Sequence, residues 1–376
     1  MIHDLPPVKR NILLNPGPAT TTDTVKYAQV VPDICPREKD FGQVVEHILA
    51  DLLKVVHGEN THQCVLFGGS GTAVMDAVIN SVVPHDGGIL VVANGAYGTR
   101  MIDIAESYGI ACVRYELPYG DYPDVSAAED LIKANRSRLS HIGIIHHETT
   151  TGMLNPIEDF LNLAKTCRLD IIVDTVSSFA GIPIDLRKTP YDHIFSSSNK
   201  CIQGMAGAAF AISRTEALER SKSVRKRSYY LNLYQQHSGF RKTRQMPFTP
   251  PVQVLYALRQ AIREYFDEGG EARNRRYVEC WERLVAGFEA IGFRLLLPRE
   301  QQSRLLTAVI EPGDPRYRFD DMHDYLYARD YTIYPGKGAK TETFRIANIG
   351  DIHKSDIEKF LLVLKQYVGE RGIVRF

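Results

Sequence analysis

Lys200 stands in Phe195-Ser196-Ser197-Ser198-Asn199-Lys200-Cys201, after a strand-like run and ahead of the small-residue stretch Gly204 to Ala209. An amine flanked on both sides by sequence that reads as buried gives up its proton more readily than a solvated one. The free amine is then a nucleophile able to condense with an aldehyde. Upstream, Asp170-Ile171-Ile172-Val173-Asp174 reads as an apolar strand that ends in a carboxylate. The carboxyl ends of strands are where open α/β sheets display functional groups.

Three further segments share that position. Phe67-Gly68-Gly69-Ser70-Gly71-Thr72 lies between a strand and a helix, so backbone N–H groups and the helix dipole converge on one point suited to an anion. It is neither a Walker loop nor GxGxxG, and taken alone a tight turn has the same signature. Asn94-Gly95-Ala96-Tyr97-Gly98 follows the next strand, and Tyr97 can stack on a flat ring. His147-Glu148-Thr149-Thr150-Thr151-Gly152 ends a fourth strand with hydroxyls that can serve a phenolic oxygen or simply build a turn. An amine, a carboxylate and an anion cradle together match the aldehyde, ring nitrogen and phosphate of pyridoxal 5'-phosphate.

These groups need a scaffold. Runs rich in Val, Ile and Phe recur at Cys64 to Phe67, Ile89 to Ala93, Ala111 to Leu117, His141 to His146, Asp170 to Asp174, His193 to Ser196 and Ala208 to Ser213. Near-continuous apolarity suits strands covered on both faces. Amphipathic stretches between them, such as Thr72 to Val83, Gly98 to Tyr108 and Asn155 to Cys167, predict βαβ units and a mostly parallel seven-stranded sheet, an α/β fold. The large domain is expected over residues 16–258. A long helix from Val252 to Phe266, stopped at Glu268-Gly269-Gly270, leads into a smaller α+β domain over 259–376. That domain is expected to hold strands at Phe293 to Leu297 and Leu305 to Ile310 and a last helix from Asp356 to Val368, with residues 1–15 packing near it.

Lys plus Arg equals Asp plus Glu at 45 each, which argues against nucleic acid or an anionic membrane and for small-molecule partners. The charge cluster Lys222 to Arg227 reads as a solvated helix or loop. The six cysteines, at 35, 64, 112, 167, 201 and 280, form no CxxC pair and lie mostly in apolar runs, so they read as reduced, buried thiols. No metal site is expected. Met1 to Asn15 lacks the features of a signal peptide and no long apolar span occurs, which places the protein in the cytoplasm.

With these pieces in order the chain resembles the fold type I, class V pyridoxal-phosphate-dependent aminotransferases, and within them the branch acting on 2-aminoethylphosphonate and pyruvate. The resemblance runs from Leu13-Leu14-Asn15-Pro16-Gly17-Pro18 through Asp33-Ile34-Cys35-Pro36-Arg37-Glu38, Gly69 to Thr72, Asn94 to Gly98 and Glu148 to Pro156. It continues through Ser177 to Asp185, Ser198 to Gly204, Tyr334 to Lys337 and Phe344 to Gly350. It implies that Lys200 is the Schiff-base lysine, that Asp174 partners the pyridine nitrogen, and that Val176 and Tyr97 pack on the two ring faces. Thr150 would donate to the ring hydroxyl, and Ser70, Gly71 and Thr72 would cradle the phosphate. Thr249 would be a phosphate ligand supplied by a neighbouring subunit, implying a homodimer with shared active sites. Some relatives carry a Tyr where this chain has Met246, so the phosphate shell here lacks one hydroxyl.

The implied reaction moves an amino group from 2-aminoethylphosphonate to pyruvate. Lys200, once free, is a base beside the substrate carbon. The keto acid's carboxylate calls for a planar two-pronged partner, for which Arg345 is the candidate, a structural ion pair being the alternative. Pro16 and Gly17 would close the same pocket. The phosphonate dianion asks for more positive charge. Arg37 is proposed for it, against a surface salt bridge with Glu38 or Asp40, and Lys337 and Lys340 are weaker options. His146, His147 and Cys201 are read as packing residues. Donors such as alanine or serine with glyoxylate, or phosphonoalanine, keep the same chemistry. A lyase or desulfurase lacks support, since no cysteine sits in a Gly/Ser-rich loop.

Overall fold

The structure, a computed structural model, describes residues 6–336 and 341–376, so Lys337 and Lys340 lie outside the described residues. All seven runs form strands of one sheet: β1 (His62–Gly68), β2 (Gly88–Ala93), β3 (Ala111–Glu116), β4 (His141–Ile145), β5 (Asp170–Asp174), β6 (His193–Ser197) and β7 (Ala208–Arg214). Their order is β1-β7-β6-β5-β4-β2-β3. Only β7 runs against its neighbours, β1 and β6. Every residue of β2, β4 and β6 is buried, so these strands show no period-two alternation. Helices cover both faces, as a parallel sheet requires.

Two apolar clusters divide the sheet residues by face. Leu90, Val92, Ile142, Ile144, Ile171 and Val173 pack toward the helices Lys39–Val55, Ile157–Cys167 and Val252–Glu268. Ile89, Val91, Ile172 and Phe195 pack toward α1 (Gly71–Val82) and α2 (Ala96–Ser107). Because β1 parallels β6 across β7, the carboxyl ends of β1, β2, β4, β5 and β6 line one edge.

The helix Val252–Glu268 ends at Gly269, whose φ of +84° suits glycine, and a new helix, Gly270–Ile291, starts at once. That helix and Lys354–Arg371 pack against an antiparallel sheet of Leu306–Ile310, Thr343–Ala347 and Tyr334–Pro335. Phe288, Phe293, Phe344 and Phe360 meet edge to face in the core between them. Phe293 to Leu297, expected as a strand, is reduced to a bridge between Leu295 and Val309. Pro298 and the 3-10 turn Arg299–Gln301 follow at once and end the pairing, since proline has no N–H to give a ladder. Ile12–Leu13 pairs in parallel with Tyr331–Thr332.

Two other expectations need correction. Arg227 is not a solvated charge: it donates to the carbonyls of Asn80 (2.9 Å) and Val83 (2.7 Å) at the end of α1, where a cation opposes the helix dipole. Cys35 is exposed, unlike buried Cys64, Cys201 and Cys280. Among the described residues no helix is long and apolar enough to cross a membrane.

Candidate active site

A cavity of about 430 Å³ opens at the carboxyl ends of β1, β2, β5 and β6, lined by Gly69 to Thr72, Tyr97, Asp174, Val176 and Lys200. The lining also includes Met75, Arg100, Ser197, Asn199, Ala206 and Gly207. Strand ends bring these groups together from positions far apart in the chain.

Asp174 closes β5 with its side chain 3% exposed. Its one side-chain hydrogen bond among the described residues comes from the Val176 N–H at 2.7 Å. Burial raises its pKa from 3.8 to about 7; the Val176 bond opposes the rise, the nearby Glu148 charge adds to it, and Lys200 and Arg100 oppose it. A buried carboxyl with so few donors is complementary to a cationic N–H in the cavity.

Lys200 follows β6 and donates from Nζ to the Pro16 carbonyl at 2.6 Å. Burial lowers its pKa from 10.5 to about 8, with a further push from Arg345 and Arg100. The amine is therefore within reach of its neutral, nucleophilic form near neutral pH. Gly17 lies directly over it. A Cβ there would overlap the lysine amine, and φ of +136° is a conformation that side chains rarely adopt. Pro16 and Gly17 thus reach Lys200.

The anion cradle is the first turn of α1. Ser70 is its N-cap, accepting from Ala73 N at 3.4 Å, and the first-turn N–H groups have no acceptor within the helix. A Cβ on Gly71 would sit 3.1 Å from both methyls of Val176, so the glycine lets the loop lie against that side chain. Arg100, which sequence reasoning missed, donates to Thr72 Oγ1 at 3.1 Å and places its guanidinium 4.8 Å from the Tyr97 ring centroid. The available signal was its position three residues after Tyr97 on α2, one helical turn along the same face.

Glu148 was also missed. Fully buried, it accepts from the N–H groups of Tyr97 (3.2 Å), Gly98 (3.4 Å) and Thr150 (3.0 Å), anchoring the start of α2. Thr150 Oγ1 donates to Glu148 at 2.6 Å and accepts from Ala96 N at 3.0 Å, which commits its proton away from the cavity. The neighbouring Thr149 and Thr151 hydroxyls are buried without partners among the described residues.

Arg345 lies on the strand Thr343–Ala347, 8% exposed. It donates to the carbonyls of Pro335 (3.0 Å) and Thr149 (3.2 Å), and burial lowers its pKa. Among the described residues no carboxylate pairs with it, so the structural ion pair weighed as its alternative role is not formed. Arg37 does not line the cavity of its own chain. It donates to the carbonyls of Met246 and Pro247, and Gln245 Nε2 returns a bond to the Arg37 carbonyl at 2.8 Å. Neither Glu38 nor Asp40 pairs with it. Thr249, on the same loop, is exposed and also outside the cavity, and Met246 is buried in the core of its own chain.

His147 bonds Ser177 O (3.2 Å) and Ser303 Oγ (2.8 Å), a packing role. His146 is buried too, with its Nδ1 unpartnered among the described residues. Cys201 is buried and its thiol is pushed up to about 12 by burial, which leaves it inert.

Residues 22–336 match the family Aminotransferase class-V. The chain is 41% identical over 362 residues to the 2-aminoethylphosphonate–pyruvate transaminase of Klebsiella pneumoniae, covering 94% of this chain and 96% of that one. It is 38% identical to the protein of that name from Syntrophobacter fumaroxidans, covering 96% and 97%. Among solved structures, alanine–glyoxylate aminotransferase from Nostoc sp. superposes with a TM-score of 0.88 at 26% identity, covering 97% of each chain. Ureidoglycine–glyoxylate aminotransferase from Bacillus subtilis gives a TM-score of 0.89 at 22% identity over 99% of this chain and 96% of that one, a likeness of fold. A nucleophilic lysine facing a buried carboxyl over a helix-start anion cradle agrees with these matches, and the chain belongs to the class V aminotransferase family.

Proposed function

We propose that this protein holds pyridoxal 5'-phosphate in the cavity and moves the amino group of 2-aminoethylphosphonate to pyruvate, giving phosphonoacetaldehyde and L-alanine. The observation that carries the reading is Lys200 and Asp174 facing one cavity above the start of α1. The choice of donor rests on the relatives of that name at about 40% identity. When bound, the cofactor supplies an aldehyde that takes up the amino group and a ring that accepts electrons from the broken C–H bond.

The residues fit that group. Asp174, short of donors, would hold the ring nitrogen's proton, and that cation would return the carboxyl to its charged form. Ser70, Gly71 and Thr72 would take the phosphate on N–H groups and hydroxyls, with Arg100 adding charge. Tyr97 and Val176 would sandwich the ring. Lys200 would leave the Pro16 carbonyl to bind the aldehyde and, once released, move the substrate's proton as a neutral base. Arg345, anchored through two carbonyls and with no carboxylate partner among the described residues, would receive the carboxylate of pyruvate.

Arg37 and Thr249 face outward on one braced surface, which suits residues that complete the cavity of a second copy in a homodimer. The test is single-turnover spectroscopy of the loaded protein with 2-aminoethylphosphonate or alanine as donor. Discharge of the cofactor band by 2-aminoethylphosphonate, with phosphonoacetaldehyde formed, supports the reading. Discharge by alanine while 2-aminoethylphosphonate leaves the band untouched would transfer the protein to an alanine-dependent reaction.

A further inference from the structure

At the sheet edge opposite Lys200, His141, Asp170 and His193 are the first residues of β4, β5 and β6. The registers set His141 beside Asp170 and His193 beside Ile172. Asp170 and Ile172 share a face by the two-residue repeat, so all three side chains project from one face of the sheet. One coordinating atom from each lies within 4.8 Å of the others, and His141 Nε2 is 3.8 Å from Asp170 Oδ2.

Both imidazoles are buried, His141 3% exposed and His193 0%. Each is tied through Nδ1 to a serine, Ser140 and Ser213, at 2.8 Å, and the Nε2 of each has no partner among the described residues. The Ser140 hydroxyl already donates to the Gly88 carbonyl at 3.1 Å, so it accepts from His141. His141 therefore carries its hydrogen on Nδ1 and presents a lone pair at Nε2. Nothing among the described residues donates to that lone pair.

We propose that His141, Asp170 and His193 form a binding site for a divalent transition-metal ion of the zinc class. Two imidazoles and a carboxylate are a ligand set for such ions, and serine bonds to the distal ring nitrogens orient the ligands. Arg220 donates to Asp170 Oδ2 at 2.6 Å, the same oxygen that faces His141 Nε2, which fixes the carboxylate beside the imidazoles, and the partly exposed Asp170 gives a route in. The positive charges of Arg220 and Arg214 are balanced by Asp170 and Asp192. Bonds of ~2.0–2.1 Å would draw the ligand atoms roughly 1 Å closer than they stand here. Such an ion would tie three adjacent strands at the edge away from the cavity.

The test uses untagged, cofactor-loaded protein, stripped with a chelator and dialysed against Co2+ or Zn2+. Elemental analysis is expected to find about one ion per chain, with visible d–d absorption for Co2+. His193→Gln and Asp170→Asn are expected to weaken Co2+ binding on the order of 10²-fold while cofactor absorbance and turnover stay at parental values. Asp170 is partly exposed, so its variant keeps the test decisive if His193→Gln does not fold. The proposal is overturned if the parent retains no metal, as when a water bridges the imidazoles, or if retained metal is indifferent to both substitutions.

Discussion

Replacing Asp174 with asparagine should stabilise the cofactor-free protein and disable the loaded one. The side chain is 3% exposed, and asparagine can keep the bond from the Val176 N–H. Folding raises the Asp174 pKa from 3.8 to about 7. Between those values the unfolded chain has already given up the proton that the folded protein retains, so stability falls as pH rises and the full cost is present above pH 7. Each pH unit is worth ~1.4 kcal/mol, which sets the cost at roughly 4 kcal/mol as an upper bound. Thermal unfolding of the cofactor-free pair should show no difference near pH 4 and an advantage for Asp174→Asn of up to roughly 5 °C at pH 8. On loading, the ring cation stabilises the carboxylate only in the parent, and the variant should lose about 10²–10³-fold in turnover. An advantage that fails to widen between pH 5 and pH 8 would refute the reasoning, because burial of an unpaired charge would then not be the cost.

Gly17→Ala places a methyl on the Lys200 amine, so turnover should fall by at least ~10²-fold with a displaced cofactor absorption band, measured beside circular dichroism to show an intact fold. Arg345→Lys should raise KM for pyruvate by roughly 10–100-fold and leave the first half-reaction with the amine donor nearly unchanged, which stopped-flow of the two halves separates. Mixing a Lys200→Ala chain with an Arg37→Ala/Thr249→Ala chain should recover about a quarter of parental activity if the loop serves the partner's cavity, since half the dimers then hold one intact site. No recovery on mixing would place that loop outside any shared site. Arg100→Met should weaken cofactor affinity about 10-fold or more, read by equilibrium dialysis, with the Tyr97 ring left in place.

Hydrophobic runs locate the inner strands because cover on both faces leaves a signal in every residue, as β2, β4 and β6 show, while in the edge strand β3 only Tyr115 is buried. The signal fails at Phe293 to Leu297, where apolar residues serve a packed aromatic cluster and Pro298 ends the pairing after one bridge. Lys200 and Asp174 could be placed together from sequence because Asp174 ends one apolar strand and Lys200 lies three residues beyond another. Arg100 was not, since a helical arginine looks the same whether it faces water or a cavity. Glu148 was hidden for a related reason: its role is fixed by N–H groups some fifty residues away, at the start of another helix. Arg37 and Thr249 lie outside the cavity of their own chain, where a single-chain pattern carries no signal.

The bridge between Ile12–Leu13 and Tyr331–Thr332 has a consequence for biosynthesis. The segment that lays Gly17 over Lys200 gains its pairing partner only after about 320 further residues have been made, a closure whose entropic cost grows slowly with length. On the ribosome the sheet and its lysine can therefore assemble while the cover is held only by its contacts to earlier residues, such as the Ala19 N–H on the Asn199 carbonyl. The cover over the reactive amine thus gains its final clasp late, leaving an interval in which a free aldehyde in solution reaches it more easily.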